Sequence, residues 1–212
     1  MYMDAPRGLK DEARLAERRR MLETVERVRP LVEWKEDVLA RRRARRPDIM
    51  IPDFDPAEVG GGIETRALMV FEAPGPKTVP KWGGSGFIST DNDDPTAQNN
   101  WLARNDAGMH EHTLSWNICP WVLGKASVHP GSTELAQGAI ELRGLMRLLP
   151  DLRVVVLCGL KAQQGWTSFI EPHIEGGPSV IRTWHPSNLS FKQPDKRAEF
   201  TIALERAASR IA

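Results

Sequence analysis

The chain has 212 residues, with 29 basic against 28 acidic side chains and two cysteines. That length suits one α/β domain, or one domain with an appendage, and can bury a sizeable core. Cys119 and Cys158 are too few for a disulfide framework, a four-thiolate zinc site or an iron–sulfur cluster. No apolar run is long enough to span a bilayer and the first residues carry charge, so a soluble, cytoplasmic monomer is expected.

The near-neutral total hides an asymmetry. Residues 1–47 carry 14 Lys/Arg and 9 Asp/Glu, whereas the remainder carries 15 and 19. The basic excess gathers in Arg18-Arg19-Arg20 and in the run from Arg41 to Arg46. Such runs either meet nucleic-acid phosphates or line a solvated helix face. Residues 9–46 read as helical, with Leu15, Leu22, Val25 and Val28 on a partial apolar face and a break at Pro30. Residues 1–50 are therefore expected to form a basic helical arm packed on or beside the core. Residues 51–65, punctuated by Pro52, Pro56 and Gly60-Gly61-Gly62, read as a linker.

From residue 66 onward, strand and helix alternate. Four short apolar runs read as strands buried on both faces of a parallel sheet: 67–71, 114–119, 154–158 and 179–184. Helices are expected at 96–106, at 133–149 with Ser132 as N-cap, at 160–170 and at 195–211. This alternation predicts a three-layer α/β/α sandwich around a central four-stranded parallel sheet, spanning 66–212. In such folds ligands bind beyond the carboxyl ends of the strands, which here carry Glu72, Asn117, Cys158 and His185.

Several tempting motifs do not hold. Ala73-Pro74-Gly75-Pro76-Lys77-Thr78 has Pro76 where a phosphate-binding loop needs glycine and a free N–H. Gly83-Gly84-Ser85-Gly86-Phe87 lacks the closing glycine of a nucleophile elbow. His110-Glu111-His112 has no third metal ligand nearby, and no Cys-x-x-Cys pair offers a deaminase zinc site, so no metal or other cofactor is expected. Cys119 and Cys158 read as small buried hydrophobes.

Four other segments converge on the presumed carboxyl edge: Phe71-Glu72-Ala73-Pro74-Gly75, Ser85-Gly86-Phe87-Ile88-Ser89, Trp116-Asn117-Ile118-Cys119-Pro120, and Trp184-His185-Pro186-Ser187-Asn188-Leu189-Ser190. In this order they resemble the uracil-DNA glycosylase superfamily, in particular its branch with a Gly-Glu-Ala-Pro-Gly first motif and a His-Pro-Ser last motif. The resemblance covers about residues 66–210. Phe71 replaces the usual first glycine, and the four cluster-ligating cysteines of that branch are missing.

The resemblance implies a monofunctional glycosylase that flips uracil out of DNA and hydrolyses its N-glycosidic bond without a cofactor. His185 takes the position that donates a hydrogen bond to the departing base. Asn117 takes the position that reads N3–H and O4 of uracil, and Phe87 that of the stacking ring, with Ala73 beside the base. Glu72 matches the carboxylate that orients water, with Asp91 as the alternative. Leu189 matches the wedge that fills the vacated stack. Ser85, Ser187 and Ser190 suit phosphate contacts and Lys192 adds charge. His129 lies where one branch traps the sugar covalently, but the basic residues flanking that histidine are absent. Excision of another deaminated or mismatched base, or DNA binding without turnover, stays open.

Overall fold

The computed structural model describes residues 5–58, 62–125 and 128–212. Its centre is a parallel sheet of β2 (Ala67–Phe71), β4 (Thr113–Asn117), β5 (Val154–Cys158) and β6 (Ser179–Thr183), in the order β4-β2-β5-β6. A separate parallel pair joins β1 (Asp53–Phe54) to β3 (Phe87–Ile88). The helices are α1 (Glu12–Thr24), α2 (Arg29–Arg43), α3 (Pro95–Asp106), α4 (Ser132–Met146), α5 (Leu160–Phe169), α6 (Asn188–Phe191) and α7 (Pro194–Ile211).

The sheet is covered on both faces, which is why its strands read as unbroken apolar runs. Leu68, Val70, Leu114, Trp116, Val155 and Leu157 join a core with Leu31 and Val38 of α2, Leu135, Leu142 and Leu145 of α4 and Trp166 of α5. The alternate residues Met69, Val154, Val156 and Ile181 pack with Ala103 of α3 and Phe200, Leu204 and Ala207 of α7. The arrangement is thus α/β, with helices on either side of four parallel strands. Cys119 and Cys158 are buried free thiols, and burial pushes the Cys119 thiol up to about 12. None of the helices described is long and apolar enough to cross a membrane.

Several boundaries shift for local reasons. Ser132 lies inside α4: Gly131 caps that helix, its N–H donating to the Glu134 carboxylate at 3.1 Å. Ile140 of α4 is exposed. The break between α1 and α2 comes before Pro30, which sits in the first turn of α2, where a missing N–H does no harm.

Residues 51–58 of the stretch expected as a linker pack into the body. Ile51 and Phe54 are buried, and Phe54 stacks on Trp116 with ring centroids 4.0 Å apart. Of the Gly60-Gly61-Gly62 run, the first two residues lie outside the described residues.

The arm is anchored as much by charge as by apolar contact. Arg18, buried in α1, lies 2.9 Å from Asp91 and 3.5 Å from Asp55. Arg42 of α2 pairs with Glu141 of α4 at 2.8 Å and lies over the Trp121 ring. Arg41 reaches the same carboxylate at 3.0 Å. Three of the arginines that sequence offers to phosphates are therefore engaged within the protein.

Candidate functional site

A cavity of about 310 Å³ opens at the carboxyl ends of β2 and β4. That volume is at the lower end of ordinary small-ligand sites, roughly 300–1,000 Å³. Its wall is made by the loop after β2 (Phe71 and Ala73 through Thr78), the residues after β3 (Ile88, Ser89, Asn92), the start of α3, Ser115 and Asn117 of β4, and His185 beyond β6. Three of the strand ends singled out from sequence therefore meet at this cavity, Glu72 lying between two wall residues.

Asn117 ends β4 opposite Phe71 of β2. It is 4 % exposed, and its side-chain amide makes no hydrogen bond with the described residues. Helix α4 holds this strand end in place. Gly138 of α4 lies so close to the Ile118 carbonyl that a Cβ there would come within 1.8 Å of its oxygen.

His185 is half-buried, and Phe71 meets it edge-on with ring centroids 5.8 Å apart. Burial pushes the imidazole pKa below its ordinary value, with Glu72 opposing, so the ring is held in its neutral form. A neutral imidazole keeps one N–H to donate. Its loop is fixed from three sides. Asn99 donates to the Pro186 carbonyl at 2.9 Å, Trp184 donates to Glu199 at 2.7 Å, and Gly159 packs against the His185 side chain.

Glu72 immediately precedes the wall residue Ala73, and its carboxylate contacts His129 Nδ1. His129 is otherwise largely exposed. Asp91 is not brought to the wall. It is 1 % exposed, held by Arg18, and burial raises its carboxyl to about 7, with the Asp55 charge adding and Arg18 opposing.

Phe87 also lies off the wall, buried in β3 beside β1. The aromatic ring that does line the cavity is Phe71, noted in the sequence only as a departure from the motif. Ser85 is buried and committed to Asn92 and to the Phe87 N–H. Ser187 caps α6 by accepting from the Ser190 N–H at 3.4 Å. Leu189 is 77 % exposed on α6, and Lys192 borders a second surface depression between α3, α6 and α7.

Sequence reasoning missed the framework behind the wall. Glu58 accepts from the backbone N–H groups of Thr90 and Ser115 and pairs with Arg104 at 3.3 Å. Asp55 accepts from the Ser89 hydroxyl and faces Arg18. Residues 55–58 thus fasten the 88–92 segment to β4 and to α1. Two acidic residues among prolines carried no signal beyond that of a polar loop.

Among the described residues no group of three His, Cys, Asp or Glu side chains is placed to hold a metal. His110 packs against Trp101, and burial pushes its imidazole down to about 4. The chain matches no protein-family model and no curated protein.

Proposed function

We propose that this chain is a monofunctional DNA glycosylase, similar to the uracil-DNA glycosylase superfamily, that hydrolyses the N-glycosidic bond of uracil flipped out of DNA. The observation that carries this reading is the meeting of Asn117 and His185 on one cavity wall, neither side chain making a hydrogen bond among the described residues. A buried amide that the fold leaves unsatisfied is suited to a ligand with a complementary edge. Uracil N3–H and O4 form such an edge for Asn117.

Bond cleavage leaves negative charge on the base and positive charge on the sugar. Neutral His185 donates its N–H to a base carbonyl as that charge develops. Glu72, beside the wall, orients the attacking water and faces the cationic sugar. Phe71 offers its ring to the flipped base, and exposed Leu189, four residues beyond His185, fills the vacated stack. Lys192 and the hydroxyls of Ser187 and Ser190 supply phosphate contacts on the same side.

A uracil-containing oligonucleotide should become alkali-labile after incubation with the protein. His185→Ala should lower single-turnover excision by about 10²–10³, the usual effect of removing one donor to a developing anion. Asn117→Asp should lower it at least ~10-fold by setting a carboxylate against O4. Glu72→Gln should lose turnover and keep DNA binding, whereas Asp91→Asn should keep both. Excision that survives His185→Ala and Asn117→Asp unchanged would refute the assignment.

A further inference from the structure

The arginines of the arm divide into those the fold uses and those it leaves. Arg18, Arg41 and Arg42 are paired with carboxylates of the body. Arg43, Arg45 and Arg46 are exposed, and their side chains make no hydrogen bond or ion pair among the described residues. Glu141, the carboxylate that α4 presents to this end of α2, is already taken by Arg41 and Arg42. Cations at a helix C-terminus gain from the helix dipole, but only within its last turn. Arg41, Arg42 and Arg43 fill that turn, so Arg45 and Arg46, beyond it, have no such use.

The fold carries this run to the edge of the sheet where the cavity opens. Arg27, just past α1, packs on Gly62, ahead of the amino end of β2. From there α2 runs for 15 residues, about 22 Å, enough to pass the whole length of a five-residue strand. Its far end meets the loop after β4. The Arg42 guanidinium lies 4.8 Å over the Trp121 ring, and Val122 N–H donates to the Met50 carbonyl at 2.9 Å. That loop begins at the cavity, where Asn117 lines the wall and Cys119 N–H donates to the Glu72 carbonyl at 3.0 Å. Burial raises the Cys119 thiol, and the charges of Arg46 and Glu72 bear on it with opposite sign, which sets Arg46 close to this junction.

Trp121 is four positions past Asn117, at most ~14 Å of extended chain. Phosphates recur every ~3.4 Å along a DNA strand, and a turn of duplex is ~34 Å long. The backbone flanking a base held in the cavity therefore passes the arginine run within one turn. Leu189 and Lys192 follow β6, at the other end of the strand order, so the run and these residues flank the cavity from opposite sides. A guanidinium fork matches phosphate oxygens in pairs. We propose that Arg43, Arg45 and Arg46 form a phosphate-binding surface for duplex DNA on the β4 side of the cavity, which makes the arm part of the substrate grip. This rests on the glycosylase reading above for the position of the DNA.

The test is binding of an undamaged duplex by fluorescence anisotropy across a range of salt, with single-turnover uracil excision and thermal melting. Wild type is compared with Arg43→Gln, Arg45→Gln and Arg46→Gln together, and with the same three positions changed to Lys. The control changes Arg147, Arg206 and Arg210 to Gln. These arginines are exposed near the opposite edge, where Arg210 donates to Ser179 at the start of β6. The first triple variant should lower the slope of log affinity against log salt by about 2–3, since each phosphate contact contributes about 0.9, and weaken binding at low salt at least ~10-fold. Its excision should fall at sub-saturating protein and stay within about threefold of wild type at saturation, because the grip and not the chemistry has changed. The Lys triple should keep the wild-type slope, the control should keep slope and affinity, and all should melt near wild type.

An unchanged slope in the first triple variant would overturn the inference, and continued uracil release would leave the glycosylase reading standing. Equal losses in the control would assign the effect to net charge and overturn it too, as would a first triple that melts well below wild type. Wild type that prefers phosphatidylserine vesicles to duplex, through these same arginines, would make the surface membrane-facing and overturn it. Duplex binding that depends on these arginines without release of uracil would overturn the glycosylase reading and leave the DNA surface in place.

Discussion

At the scale of single residues, the placement of His185 depends on a position with no side chain at all. Gly159 follows β5 directly and adopts a φ of +95°, a backbone region that favours glycine. A Cβ there would stand 2.9 Å from the His185 Cβ. The absence of a methyl group at one strand end therefore sets how closely the His185 loop of the next strand approaches. Gly159→Ala should displace the imidazole and lower single-turnover excision by about 10², the scale of an ångström-sized misplacement. Gly176→Ala is the control: that glycine also has positive φ, 64°, but open space around it. Comparable losses in both variants would mean that backbone strain, rather than the contact with His185, is responsible.

At the scale of elements, α1 bears on the cavity although none of its residues lines it. Only Arg18 of this helix is buried, and it holds Asp91, within the 88–92 segment that forms part of the wall, and Asp55, which accepts from Ser89 of that segment. Removing one partner from a buried charge network costs about 3–5 kcal/mol, because the remaining charges are stranded. Arg18→Met should destabilise the fold by that order in urea unfolding. Arg18→Met combined with Asp91→Asn should recover part of it, since one stranded carboxylate is gone. A double variant no more stable than the single one would show that Arg18 acts through packing of its stem.

The same elements show what could be read from the chain. The four main strands and the longer helices were legible because parallel strands buried on both faces produce unbroken apolar runs, and amphipathic helices leave a periodic trace. Asp53–Phe54 and Phe87–Ile88 were not, since two-residue strands have no period. Arg18 in an arginine triplet reads as solvated surface, and its burial depends on carboxylates 37 and 73 positions away. Asn117 and His185 were legible from motif order.

At the scale of the whole molecule, the opposite charge excesses of the arm and the body meet as internal pairs. Arg18 faces Asp55 and Asp91, Lys35 faces Asp53, and Arg41 and Arg42 face Glu141. Behind the cavity the balance is uneven, with Asp55, Glu58 and Asp91 set against Arg18 and Arg104. Three carboxylates and two guanidiniums become neutral when one proton is retained. Burial raises both Asp55 and Asp91, the latter to about 7. The folded protein therefore keeps a proton that the unfolded chain releases near 3.8. Between those values the native state binds more protons, so this contribution to stability is full below 3.8, falls as pH rises, and levels off above about 7. His110 and His185, held neutral by burial, act in the opposite sense and obscure the trend in the wild type alone. They cancel in a comparison with Asp91→Asn, whose amide mimics the protonated acid. The variant should match the wild type in acid and gain on it with rising pH, by at most ~1.4 kcal/mol per pH unit, until the two run parallel above neutrality. Urea midpoints across that range measure the difference. A variant that instead loses ground as pH rises would show that ionised Asp91, paired with Arg18, is the form that holds the cavity wall.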